Sequence, residues 1–198
     1  GWNVSNVTDM RHMFGTATAF NQDISNWDTG KVTSFSYMFN HASQFNQPLD
    51  SWDTSSVTAM DHMFRMASAF NQDLNNWDLS NVTTIRSMFI GAYNFNGQIG
   101  NWNTGNVTDM TAVFYEVFDF NQDISNWDVS SVTSMFDMFK NARAFNQDIS
   151  DWNVSAVTTM GQMFLGAQSF NQDIKTWDVS TVTNMNDCLM VQPILIKI

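Results

Sequence analysis

The chain has 198 residues, 43% of them hydrophobic, and a formal net charge of −11. That charge repels phosphate, which argues against nucleic acid and anionic membrane surfaces as partners. Cys188 is the only cysteine, so no intrachain disulfide forms, and no apolar run reaches the ~18 residues of a membrane span.

The chain starts inside a pattern. Tryptophan falls at Trp2, Trp27, Trp52, Trp77, Trp102, Trp127, Trp152 and Trp177, a spacing of 25 residues with no insertion or deletion. A fixed period of that length signals a repeat array. With no initiator Met and a start inside a repeat, the sequence reads as a fragment or a processed form. The array is expected over residues 1–189, about eight coils, with residues 190–198 as a tail or cap.

In chain order, the first segment of each repeat carries Val7, Met10, Met13, Phe14 and Ala17, offsets that share one face of a helix. The spacing predicts a short helix capped by Ser5 or Thr8. Phe20-Asn21-Gln22-Asp23-Ile24-Ser25-Asn26-Trp27 follows, with Ile24 recurring as Ile or Leu, and predicts a corner beside a short strand near 23–26. Asp28 to Gly30 reads as a turn. One strand and one helix per repeat imply parallel strands joined by right-handed crossovers. The expected fold is therefore an α/β solenoid, a right-handed leucine-rich-repeat-like coil with its parallel sheet on the concave side.

The Trp, Val, Met and Phe columns read as core. Asn21 and its equivalents through Asn171 never vary, which predicts a buried amide ladder serving backbone groups between coils. Asp23, Asp73, Asp123, Asp148 and Asp173 form a second column, broken by Pro48 and Gln98. Carboxylates stacked this closely must be solvated or share a cation, and no calcium loop is present.

The variable columns carry the candidate site. Positions 13 and 16 after each Trp read Arg65 and Ser68, Ile90 and Tyr93, Tyr115 and Phe118, Lys140 and Arg143. Ile90, Tyr93, Tyr115 and Phe118 would form an apolar patch with cations on both flanks, a candidate binding site. The bland alternative is that they pack on neighbouring segments or are scattered surface apolars. No phosphate loop, zinc spacing or nucleophile motif occurs, so no enzyme activity, cofactor or metal is expected. His12 and His62 share one column, His41 sits in another, and Cys188 stands in a core Met column.

The unit from Phe120 to Phe139, with W-[DN]-x-[SG]-x-V-T occurring eight times in register, resembles the BspA-like leucine-rich-repeat surface proteins, the group called domain of unknown function 285. The resemblance implies extracellular or cell-surface display, with adhesion or ligand recognition and no enzyme activity. Leucine is largely replaced here by Phe, Met, Ile and Trp. Three functional expectations follow. The first is a recognition or adhesion module for a protein or glycan partner. The second is a structural spacer or self-associating scaffold. The third is recognition of a regular lattice, a polysaccharide or crystal surface, by the Thr and Asn columns, which requires those columns to face solvent, contrary to expectation.

Overall fold

The computed structural model describes residues 2–189. The tail or cap expected at 190–198 lies outside the described residues. Coils are numbered here from their tryptophans, coil 1 at Trp2 to coil 8 at Trp177.

Among the described residues no helix and no strand forms. The expected α/β solenoid, with a helix, a strand and a concave parallel sheet, is therefore not the fold. The expected helix at Val7–Ala17 and the expected strand near 23–26 are both chains of turns. Coil 2 shows the construction. Backbone N–H groups of Val32, Met38, Ala42, Phe45 and Trp52 donate to the carbonyl oxygens of Thr29, Phe35, Phe39, Ala42 and Leu49, closing five three-residue steps at 2.8–3.0 Å. The first and last residues of each turn point inward and the central pair points outward. Chained turns thus place apolar residues three and four apart, the same spacing that an amphipathic helix produces.

The backbone itself excludes the helix. His12, Tyr37, His62, Ser87, Ala112, Asp137, Gln162 and Asp187 all have φ between 50° and 61°. Thr16, His41, Met66, Gly91, Glu116, Asn141 and Gly166, four residues on in each coil, are left-handed as well. Left-handed geometry costs a non-glycine residue about 1–2 kcal/mol. It persists because the N–H groups it re-aims find partners in the next coil. In coil 2 the N–H groups of Phe35, Tyr37, Phe39 and His41 donate to the carbonyl oxygens of Ala59, Asp61, Met63 and Arg65 at 2.7–3.1 Å. Alternate N–H groups therefore close turns within a coil and tie coils together.

Strand-like pairing is confined to one position per coil, the isolated parallel bridges Asp9↔Ser34 through Thr159↔Asn184. With no helix layer and no sheet among the described residues, the expected concave sheet face does not form.

The interior is predominantly apolar. Phe39, Phe64, Phe89, Phe114, Phe139 and Phe164 are fully buried, as are Phe45, Phe70, Phe95, Phe120, Phe145 and Phe170. Rings stack within a coil, as Phe39 on Phe45 at 4.0 Å, and between coils, as Phe39 on Phe64 at 5.5 Å. Each buried aromatic or Met side chain contributes about 1.5–3 kcal/mol. The indole N–H groups of Trp52, Trp77, Trp102, Trp127, Trp152 and Trp177 each donate to an Ile or Leu carbonyl oxygen one coil back, at 2.7–3.3 Å. The buried hydroxyls of Thr29, Thr54 and Thr104 reach carbonyl oxygens of the next coil.

Two columns differ from expectation in exposure. The asparagine ladder forms: the Oδ1 of Asn46 accepts the backbone N–H of Asn71 and the side-chain amide of Gln72, both at 2.9 Å. It is not buried, however; Asn21, Asn71, Asn121 and Asn171 are exposed and the others half-buried. The Thr column from Thr8 to Thr183 is exposed in every coil. In it, Thr58 donates both its N–H (2.9 Å) and its hydroxyl (3.2 Å) to the carbonyl oxygen of Thr33.

Candidate recognition surface

Outward positions at turn centres carry the variation between coils. Ile90 and Tyr115 follow a buried Phe, and Tyr93 and Phe118 follow a buried Ala or Val, so each lies at a turn centre and projects outward. All four are half-buried.

The structure brings Tyr93 and Phe118 together in neighbouring coils. The Tyr93 and Phe118 rings stack at 5.0 Å with 17° between planes. Phe118 and Asp119 donate their N–H groups to the Tyr93 carbonyl oxygen, which fixes the step between these coils. Arg143 lies over the other face of Phe118, 4.0 Å from its centroid, and Lys140 Nζ lies 5.0 Å from the Tyr115 centroid. Cation–π contacts of this kind are worth about 0.5–1 kcal/mol at exposed sites. The column Tyr93–Phe118–Arg143 is one continuous stack.

Lys140 is engaged elsewhere too. Its Nζ donates to Gln162 Oε1 and lies 3.4 Å from Asp137 Oδ1. Burial pushes the Asp137 carboxyl above the usual range, and Lys140 pulls it back. On the opposite flank, Arg65 Nη1 meets His41 Nε2 at 2.7 Å and Asn40 Oδ1 at 3.5 Å. That contact requires His41 to accept with a neutral ring nitrogen.

The acidic column is solvent-facing. Asp23, Asp123 and Asp148 are exposed, and each accepts the N–H two residues on, from Ser25, Ser125 and Ser150. The hydroxyl and backbone N–H of Ser25 hold Asp23, and the backbone N–H and hydroxyl of Ser125 and of Ser150 hold Asp123 and Asp148, below the ordinary value. A polar recess of about 270 Å³ lies between Asp123 and Asp148. Among the described residues no group of three or more His, Cys, Asp or Glu side chains is placed to hold a metal ion. Among the described residues no helix is long and apolar enough to cross a membrane.

One feature escaped sequence reasoning. His12, Tyr37 and His62 share a column, and their rings stack at 4.6 and 4.4 Å. The fixed spacing of 25 was the signal available for it. Cys188 is buried in its Met column, and burial pushes its thiol up to about 11.

Stacked, near-identical coils define a repeat protein. The family model described as "Mycoplasma protein of unknown function, DUF285" matches residues 1–101 and again 92–192. The chain belongs to this DUF285 family. Searches of curated proteins and of solved structures each returned no match.

Proposed function

We propose that this chain is a non-catalytic recognition module, displayed at a cell surface like the BspA-like proteins it resembles, whose partner contacts centre on Ile90, Tyr93, Tyr115 and Phe118. One observation carries the reading: the array repeats itself closely, yet a continuous ring–ring–guanidinium stack interrupts it at Tyr93, Phe118 and Arg143. A purely structural spacer would have no use for such an interruption. Rings held rigidly at turn centres bind with little entropy left to lose.

The test is binding of the intact protein to host-cell surfaces, scored for the native chain and for Tyr93→Ser/Phe118→Ser. Loss of binding with an unchanged melting temperature supports the reading. Equal binding by both proteins overturns it.

A second reading is favoured by a separate observation. The Thr8–Thr183 column is exposed along its length, and its hydroxyls are pinned by the preceding coil. A rigid row of methyl and hydroxyl groups suits recognition of a regular lattice. Adsorption to crystalline polysaccharide, abolished by Thr83→Lys/Thr108→Lys and untouched by the Tyr93 and Phe118 changes, would select it.

A further inference from the structure

The Tyr93–Phe118–Arg143 stack has two unlike ends. At one end the guanidinium of Arg143 covers Phe118. At the other, the column continues through Ser68, Ser43 and Thr18, whose side chains are too short to cover an aromatic ring. Tyr93 therefore stands as a step above a shelf. The shelf is rigid: the Ser68 hydroxyl donates to the Ser43 carbonyl oxygen at 3.3 Å, and Ser43 donates in turn to Thr18. Beside the step, exposed Asn94 donates Nδ2 to the Ser68 carbonyl oxygen at 3.0 Å, which leaves its Oδ1 as an acceptor. Exposed Gln44 lies two coils away, past Ala69 in the same column.

We infer that the face of Tyr93 above Ser68 is the stacking platform for one pyranose ring of a neutral glycan. This rests on the recognition reading above and names its ligand class. A pyranose presents a flat face of C–H groups ringed by hydroxyls. An aromatic face matches the first, and the Asn94 amide beside it matches the second.

Size and charge exclude the alternatives. A stable protein interface needs about 800 Å² from each partner. Here the four apolar residues are all half-buried, and the strongly exposed large apolar side chains of the described residues, Trp2, Val179 and Met185, lie at the ends of the array. One ring face suits a sugar, not a protein surface. A net charge of −11 repels acidic glycans. The nearby cations do not offset it, since Arg65 is engaged by His41 and Asn40, Lys140 by Gln162 and Asp137, and Arg143 by the Phe118 face.

The test is titration of the intact 198-residue chain with neutral hexasaccharides of glucose, mannose, galactose and N-acetylglucosamine, followed by calorimetry and by amide NMR shifts. Expected is saturable binding to at least one of them, in the range of about 0.1–1 mM for a single-ring platform. Shifts should centre on Ser68, Tyr93 and Asn94. Tyr93→Ala should weaken binding at least about tenfold. Ser68→Trp, which adds a ring to the stack and covers Tyr93, should abolish it while holding the melting temperature. Absence of binding to all four sugars, or undiminished binding by Ser68→Trp, overturns the inference. If cell-surface binding is lost in Tyr93→Ser/Phe118→Ser while no neutral sugar binds, the glycan assignment fails and the recognition reading stands.

Discussion

The indole N–H of Trp77 donates to the carbonyl oxygen of Leu49 at 2.9 Å, and the same oxygen accepts the backbone N–H of Trp52 at 3.0 Å. One oxygen thus closes a turn in its own coil and anchors the ring of the next. Trp77→Phe removes the donor and leaves unfilled volume. It should cost about 2–3 kcal/mol, measured by denaturant unfolding. Trp2 is 71% exposed at the edge of the stack, so Trp2→Ala should cost under about 1 kcal/mol.

The left-handed columns predict effects of opposite sign. Ala112, at φ 55°, is strained by its Cβ, so Ala112→Gly should stabilise by about 0.5 kcal/mol after the added freedom of the unfolded chain is subtracted. Gly91 sits at φ 66°, and an added Cβ would strike the Met66 sulfur. Gly91→Ala should destabilise by about 1–2 kcal/mol, and Met66→Ala in the same chain should recover part of that loss. Thermal melts of the four proteins read both.

Acid should loosen the array through its turn carboxylates. The Ser130 and Ser180 hydroxyls, together with the backbone N–H groups of the same serines, hold the Asp128 and Asp178 carboxyls below the ordinary value of 3.8. A folded pKa below the unfolded one stabilises above the unfolded value, and the contribution is lost as pH falls through the folded one. The melting temperature should therefore drop below about pH 4. Asn153 makes the same turn bond to Ser155 without a charge. Asp128→Asn/Asp178→Asn should keep the fold and flatten the acid drop.

A second pH window belongs to His62. Burial holds its imidazole below the ordinary 6.5; Asp61 opposes that shift, and Arg65 and Arg86 add to it. Here the folded state disfavours the proton. Stability is complete above the unfolded value and declines as pH falls from there through the folded value. His62→Gln should remove this decline between about pH 7 and 5, where ordinary carboxylates do not titrate. Melting curves at the two pH values check it.

How far the sequence spoke depends on which property of a residue is asked about. The columns of Val57, Phe64, Phe70 and Trp77 announced burial, because identity at a fixed period follows from stacking like on like. The period could not distinguish helix from chained turns, since Met60, Met63, Phe64 and Ala67 face inward in either. The discriminator was φ at His62 and Met66: histidine is enriched in left-handed backbone, but methionine is not, so the two columns carry no shared signal. The Asn46–Asn71 bond was legible, whereas its exposure was not: a hydrogen-bonding duty fixes a residue type whether or not water is near. The placement of Tyr93 beside Phe118 followed from register alone. The cover that Arg143 lays on Phe118 needed side-chain positions, whereas the short Ser68 next to Tyr93 was readable from register.

Coil-to-coil bonds run in both directions. The Thr58 N–H reaches back to Thr33, while the Met60, His62, Phe64 and Met66 N–H groups reach forward to Thr84, Arg86, Met88 and Ile90. Every inner coil therefore offers the same plug and the same socket. Lengthening or shortening the gene by whole multiples of 75 nucleotides should preserve every junction, whereas a frame-preserving change of any other size would misalign donors and acceptors all the way along.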